Sequence, residues 1–148
     1  MSLPSLLPLP DLLRSCAAQA EQALVAALAA QGVASSALPE GFLAAFGRVA
    51  AVSDFVAEQA LREPLRLLEQ VRSGELQQSL QPGDLRARLQ ASLLDCADEE
   101  ALGRRLRGFR NAQQLRIIWR DVTRQAALVE TCRDLSDMAD ACIDLAYQ

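Results

Sequence analysis

The sequence has no histidine and no lysine, and only 4% of its 148 residues are aromatic. Without an imidazole there is no Ser-His-Asp triad, no histidine general base and no His-ligated metal. Val, Ile and Thr together number 13, whereas Ala and Leu supply 26 each. That balance favours helix over strand and sets aside sandwiches, barrels and parallel sheets. No apolar run reaches the roughly 18 to 20 residues of a membrane span. The opening Met1–Pro10 carries three prolines and no positive charge, so it does not read as a secretory signal. Cys16, Cys96, Cys132 and Cys142 make no C-x-x-C pair and no zinc spacing. As isolated thiols in helices they are expected to act as small hydrophobes in a reducing compartment. A Gly-rich phosphate loop, a G-x-S-x-G elbow and a D-x-D pair are also missing. No catalytic, cofactor-binding or metal-ligating residue is assigned, and a cytoplasmic protein is expected.

What is present reads as one all-α domain, an irregular bundle of about six to seven helices over 11–148 behind an extended lead-in, 1–10. From Asp11 the apolar residues Leu13, Cys16, Ala17, Ala20, Leu24, Ala27 and Leu28 recur every three or four positions until Gly32. A second helix, starting near Pro39–Glu40, presents Phe42, Phe46, Val49 and Ala50. Ser53 followed by Asp54 caps a third, Pro64 interrupts it, and Ser73–Gly74 stops the continuation. After the turn at Pro82–Gly83, Asp84 caps a short helix with Leu85, Leu89 and Leu93. Asp98, with Glu99 and Glu100 behind it, opens the longest helix, expected to run to about Ala126 and to span ~43 Å. Its apolar stripe changes side: Leu102, Leu106 and Phe109 share one face, and Leu115, Trp119, Val122 and Ala126 another, about 135° away. Such a helix packs on two different neighbours or kinks near Gly108. The last helix, Glu130 to Tyr147, sets Cys132, Leu135, Ala139, Cys142 and Ala146, widened by Met138, Ile143 and Leu145, against Glu130, Asp134, Asp137, Asp140 and Asp144. The chain stops inside this helix without a terminal signal, which suggests the edge of a fragment.

Charge is unevenly placed. The net charge is −4, which argues against general nucleic-acid binding. Yet residues 99–124 hold seven arginines against three acids, while residues 130–148 hold five acids against Arg133 alone. Arg116, Arg120 and Arg124, spaced by four, are expected along the back of the long helix, opposite Leu115, Trp119 and Val122. With Arg110 they are candidates for docking an acidic or phosphate-bearing surface, the plain alternative being a solvated helix back. The acidic row spreads along roughly 20 Å of helix, too far to converge on one cation. Trp119, inside the apolar stripe, is expected in the core.

Three stretches are more specific than composition. The first is Val52-Ser53-Asp54-Phe55-Val56-Ala57, followed by Pro64, Leu67-Leu68 and Ser73-Gly74. The second is Leu106-Arg107-Gly108-Phe109-Arg110-Asn111 with Leu115-Arg116-Ile117-Ile118-Trp119-Arg120-Asp121, and the third is Leu135-Ser136-Asp137-Met138-Ala139-Asp140-Ala141. In this order they resemble the N-terminal helical region of bacterial glutamine synthetase adenylyltransferase. The resemblance covers about Val49 to Leu145. It implies a parent enzyme with two nucleotidyltransferase domains, one removing AMP from glutamine synthetase by phosphorolysis and one attaching it from ATP with Mg²⁺. In that family each catalytic site carries a Gly-Ser followed by paired aspartates. This chain has no such motif, so the resemblance implies a piece that ends before the first catalytic domain and is inactive alone. Its implied partners are the following nucleotidyltransferase domain, glutamine synthetase and the PII signal protein, with no nucleic acid and no membrane. The competing expectation is a free-standing interaction module that uses its first and last helices as oligomer faces.

Overall fold

The computed structural model describes residues 8–147, so most of the expected lead-in lies outside the described residues. Seven α-helices carry the chain and no strand occurs among those residues: α1 (Asp11–Ala30), α2 (Phe42–Ala50), α3 (Asp54–Arg62), α4 (Pro64–Arg72), α5 (Asp84–Leu93), α6 (Glu99–Val122) and α7 (Leu128–Ala146). Short 3₁₀ turns at Ser35–Ala37 and Glu75–Gln77 join them. The all-α expectation holds.

Local chemistry sets most boundaries. Gly32, at φ 81°, closes α1 with a Schellman turn: its N–H donates to the Ala29 carbonyl and the Val33 N–H to the Leu28 carbonyl. The Ser53 hydroxyl accepts from the Val56 N–H at 3.3 Å and starts α3. Pro64 then occupies the first turn of α4, where its missing N–H costs nothing. The Asp98 carboxylate accepts from the Ala101 N–H at 2.7 Å and starts α6. Asp84, expected as a cap, is instead the first residue of α5, and its carboxylate accepts from the Gln81 N–H at 2.8 Å.

The largest apolar cluster gathers Leu24 and Leu28 of α1, Phe42, Phe46 and Val49 of α2, Val56 of α3, Leu67 and Leu68 of α4, and Leu115 and Trp119 of α6. Trp119 is buried and stacks on Phe42 with ring centroids 6.3 Å apart, so the core expectation for it holds. Helices α1 and α2 approach closely at Gly47, where a Cβ would stand 2.8 Å from Glu21 Cγ. Two smaller clusters build the other end: Leu80, Leu85, Ile117 and Met138 in one, Leu89, Ala141 and Leu145 in the next, with Phe109 and Cys142 against both. The change of side read along α6 therefore corresponds to two neighbours. Its first half meets α5 and α7; in its second half Leu115 and Trp119 face the α1–α4 group while Ile117 still packs on Met138 of α7, and the helix runs unbroken through Gly108.

Three expectations are corrected. Helix α6 ends at Val122, not near Ala126: Arg124 adopts φ 57°, its N–H bonds to the Asp121 carbonyl and the Gln125 N–H to the Arg120 carbonyl, a Schellman turn without glycine. Of the cysteines expected to act as small hydrophobes, only Cys142 packs against core clusters. Cys16 and Cys132 are exposed, and Cys96 and Cys142 are only partly covered. Most consequentially, α7 buries only one edge of its apolar stripe, Met138 and Leu145, and turns inward by its Asp134 side. It buries Asp134, Met138, Ala141 and Leu145, while Leu128, Cys132, Leu135, Ala139, Ile143 and Ala146 face outward. No helix among the described residues is long and apolar enough to cross a membrane.

Candidate functional site

The turn between α6 and α7 folds the two helices back on each other, which brings the basic and acidic halves of the sequence together. Arg116 is 0% exposed. Its Nη2 donates to Asp134 Oδ2 at 2.7 Å, its Nη1 to the Gln78 carbonyl at 3.0 Å and its Nε to Gln113 Oε1 at 2.9 Å. One turn on, Arg120 is 4% exposed. Its Nη2 donates to Glu130 Oε1 at 2.7 Å and to the Gln125 carbonyl at 2.9 Å, and its Nη1 to the Gln77 carbonyl. Arg133 of α7 completes the set, donating through Nη2 to the Leu80 carbonyl at 2.8 Å and to Asp134 Oδ1 at 2.9 Å.

Gln77, the last residue of the second 3₁₀ turn, leads into Gln78 and Leu80 of the irregular segment before α5. Three guanidinium groups thus hold three carbonyls of this stretch, and two carboxylates from α7 hold the guanidinium groups in turn. The Ser79 hydroxyl adds a 2.8 Å bond to Glu130 Oε1. Burial pushes the Glu130 carboxyl up, but the bonds from Ser79 and Arg120 outweigh it and hold the group below its ordinary value. A loop without secondary structure of its own is fastened here by charge-assisted bonds.

The four arginines singled out in the sequence separate accordingly. Arg116 and Arg120 do not lie on a solvated helix back. They are internal, because α7 and the 77–81 loop cover that side of α6, and their donors are directed to this chain's own acceptors. Arg110 and Arg124 are at the surface. Arg110 reaches only the neighbouring Asn111 side chain, at 3.4 Å, and Arg124 is in no ion pair among the described residues. No group of three or more potential ligand side chains gathers around a point that could hold a metal, among the described residues. The partners of Arg116 and Arg120 were missed by reading each helix alone. The signal was present: Arg116 and Arg120 are four apart, as are Glu130 and Asp134, and an antiparallel hairpin pairs them in reverse order.

Two open grooves flank the first half of α6. One, of about 550 Å³, is lined in part by Arg66, Ser92, Cys96, Arg104 and Arg105. The other, of about 680 Å³, lies between Leu102, Gly103, Leu106 and Arg107 of α6 and Ala146 at the end of α7. Asp95 also lines the first, where the Ser92 hydroxyl is spent on the Leu89 carbonyl at 2.7 Å, and Asp98, Glu99 and Glu100 also line the second.

The sequence model of the glutamate-ammonia ligase adenylyltransferase family matches residues 43–148, well over half the chain. The chain belongs to that family. It is 61% identical to the bifunctional glutamine synthetase adenylyltransferase/adenylyl-removing enzyme of Pseudomonas aeruginosa, over 100% of this chain and 16% of that protein. The enzyme of the same description from Pseudomonas syringae pv. tomato is 52% identical over 100% of the chain and 15% of its own length. That of Thioalkalivibrio sulfidiphilus is 40% identical over 97% and 14%. The chain therefore spans about one-sixth of the length of these adenylyltransferase relatives. No solved structure matches it.

Proposed function

We propose that this region is a helical brace of a two-headed glutamine synthetase adenylyltransferase, carrying no chemistry itself and supporting the nucleotidyltransferase domain that removes AMP. In this reading the parent enzyme works in the cytoplasm, attaching AMP to glutamine synthetase from ATP with Mg²⁺ and removing it by phosphorolysis, under control of the PII signal protein. The brace precedes the first catalytic domain. The observation that carries the reading is the buried Arg116–Asp134 and Arg120–Glu130 pairing within a region matched by the family along nearly three-quarters of the chain. Its strongest charges are committed to holding α6, α7 and the 77–81 loop in one arrangement, which is what a scaffold requires and an active site does not. Arg110 and Arg124, exposed and outside any ion pair among the described residues, are the members of the arginine set that remain available for docking.

The test is a comparison of the long enzyme with a version lacking residues 1–148, each assayed for attachment and removal of AMP on glutamine synthetase, alongside the 148-residue chain alone. We expect no AMP transfer by the short chain and impaired removal by the shortened enzyme. Unchanged removal after the deletion sinks the reading.

A further inference from the structure

The outward apolar stripe of α7 has no role in the fold just described. Leu128, Leu135 and Ile143 are 74%, 43% and 57% exposed, and Cys132 and Ala139 fill the positions between them at helical spacing. Burying α7 by its Asp134 side, where the carboxylate meets Arg116, turns this stripe away from the core by roughly 130° around the helix axis. At its far end the stripe runs into the groove between Ala146 and the Leu102–Leu106 side of α6, whose other lining carboxylates are Asp98, spent on the Ala101 N–H, Glu100, paired with Arg104, and Glu99. Along the α6 edge stand Arg107 and Arg110, both exposed and neither paired with a carboxylate among the described residues. Arg110 is close enough for its charge to act on Cys142 of α7. An apolar helix face beside two uncommitted cations is the complement of an amphipathic segment with an acidic edge.

We propose that the α6–α7 outer face seats such a segment, contributed by the polypeptide that continues beyond α7 in the long family enzyme. The inference rests on the reading that this region precedes a catalytic domain. Two features favour that occupant over a second copy. The relatives carry more than four-fifths of their length outside this region, while the match to Pseudomonas aeruginosa includes all of α7. The groove also opens at the C-terminal end of α7, so a segment following that helix reaches it over a short tether at high effective concentration.

Cys132 sits on this face as a native reporter. In the long enzyme, iodoacetamide labelling is followed at Cys132 (tryptic peptide 125–133) with Cys16, exposed on α1, as reference. Covered by the docked segment, Cys132 reacts about tenfold or more slowly than Cys16. The double variants Leu135→Asp/Ile143→Asp and Arg107→Glu/Arg110→Glu each restore its rate, while partly covered Cys142 stays slow, which reports that the helices remain folded. If one variant speeds Cys142 as well, the other decides. Cys132 reacting as fast as Cys16 in the unaltered enzyme overturns the proposal, and so does protection that disappears on dilution, because a second copy is then the cover. AMP attachment and removal measured on the same samples keep the two ideas apart: intact activity with a bare Cys132 refutes the docking and leaves the brace standing.

Discussion

Asp134→Ala tests the central claim that the fold hangs on the α6–α7 ion pairs. The substitution leaves the Arg116 guanidinium with two neutral partners, Gln113 Oε1 and the Gln78 carbonyl, in a site without solvent exposure. Arginine cannot shed its proton to escape, so the charge stays buried and uncompensated. Breaking such a pair from one side costs about 3–5 kcal/mol, a large part of the roughly 5–15 kcal/mol that holds a domain folded. Losing the Arg133 contact adds little, because that side chain is one-third exposed and screened. For a chain of this length the melting temperature should fall by roughly 10–15 °C. Asp134→Asn keeps the shape and one acceptor and should lose about 1.5–3 kcal/mol. The double variant Arg116→Met/Asp134→Leu removes both charges together but strips the Gln78 carbonyl and Gln113 Oε1 of their donor, so it should recover part of the loss and lie about 1–3 kcal/mol below the parent. Urea unfolding followed by circular dichroism gives each value from the midpoint at constant m. A loss below about 1 kcal/mol for Asp134→Ala, or a double variant as unstable as the single one, refutes the reasoning.

Arg124→Gly should stabilise the chain by about 0.5–1 kcal/mol, since glycine relieves the left-handed backbone at φ 57° at some entropic cost; a loss in thermal unfolding contradicts the Schellman turn. Removing the α6 cap with Asp98→Ala should cost about 1 kcal/mol in the same assay, and no change means the 2.7 Å bond to the Ala101 N–H is idle. Glu130 is held below its ordinary value in the folded chain, so its stabilisation is present above the unfolded carboxyl range and is lost as pH falls through it. Glu130→Gln should accordingly flatten the acid limb of a stability profile below roughly pH 4 to 5, and an unaltered limb rejects that role. Burial pushes the Cys142 thiol up against the opposing pull of Arg110, so Cys142 should alkylate more slowly than Cys16 near pH 8; equal rates contradict its packing against Phe109.

Helix content, the caps at Ser53 and Asp98, the break at Pro64 and the core position of Trp119 were legible because each depends on a few neighbouring residues. The end of α6 was not. Its Schellman turn uses Arg124 where the usual signal is glycine, and the reason lies outside the segment. Ending at Val122 lets α7 return at the register that places Asp134 beside Arg116 and Glu130 beside Arg120.

The orientation of α7 was hidden for a related reason. Periodicity ranks faces by apolarity alone, and by that measure Cys132, Leu135, Ala139 and Ile143 should be inside. The chain buries the face that carries Asp134 because one side of α6 already presents two arginines to it. Breaking both buried pairs, at about 3–5 kcal/mol each, costs more than exposing Leu135 and Ile143, at about 1.5–3 kcal/mol each, beside the small Cys132 and Ala139. The pairing therefore decides which way α7 faces, and the apolar stripe is what that choice leaves for another segment to cover. The two features are consequences of one register: substitutions that neutralise both buried pairs should free α7 to roll its apolar face inward, closing the surface on α6–α7. Loss of Cys132 reactivity in a variant carrying Arg116→Gln, Asp134→Asn, Arg120→Gln and Glu130→Gln, which removes the charges without making the buried face apolar, is the expected sign of that roll. A Cys132 that stays as reactive as in the parent 148-residue chain means that the apolar contacts of Met138, Ala141 and Leu145 set the orientation without help from the charges.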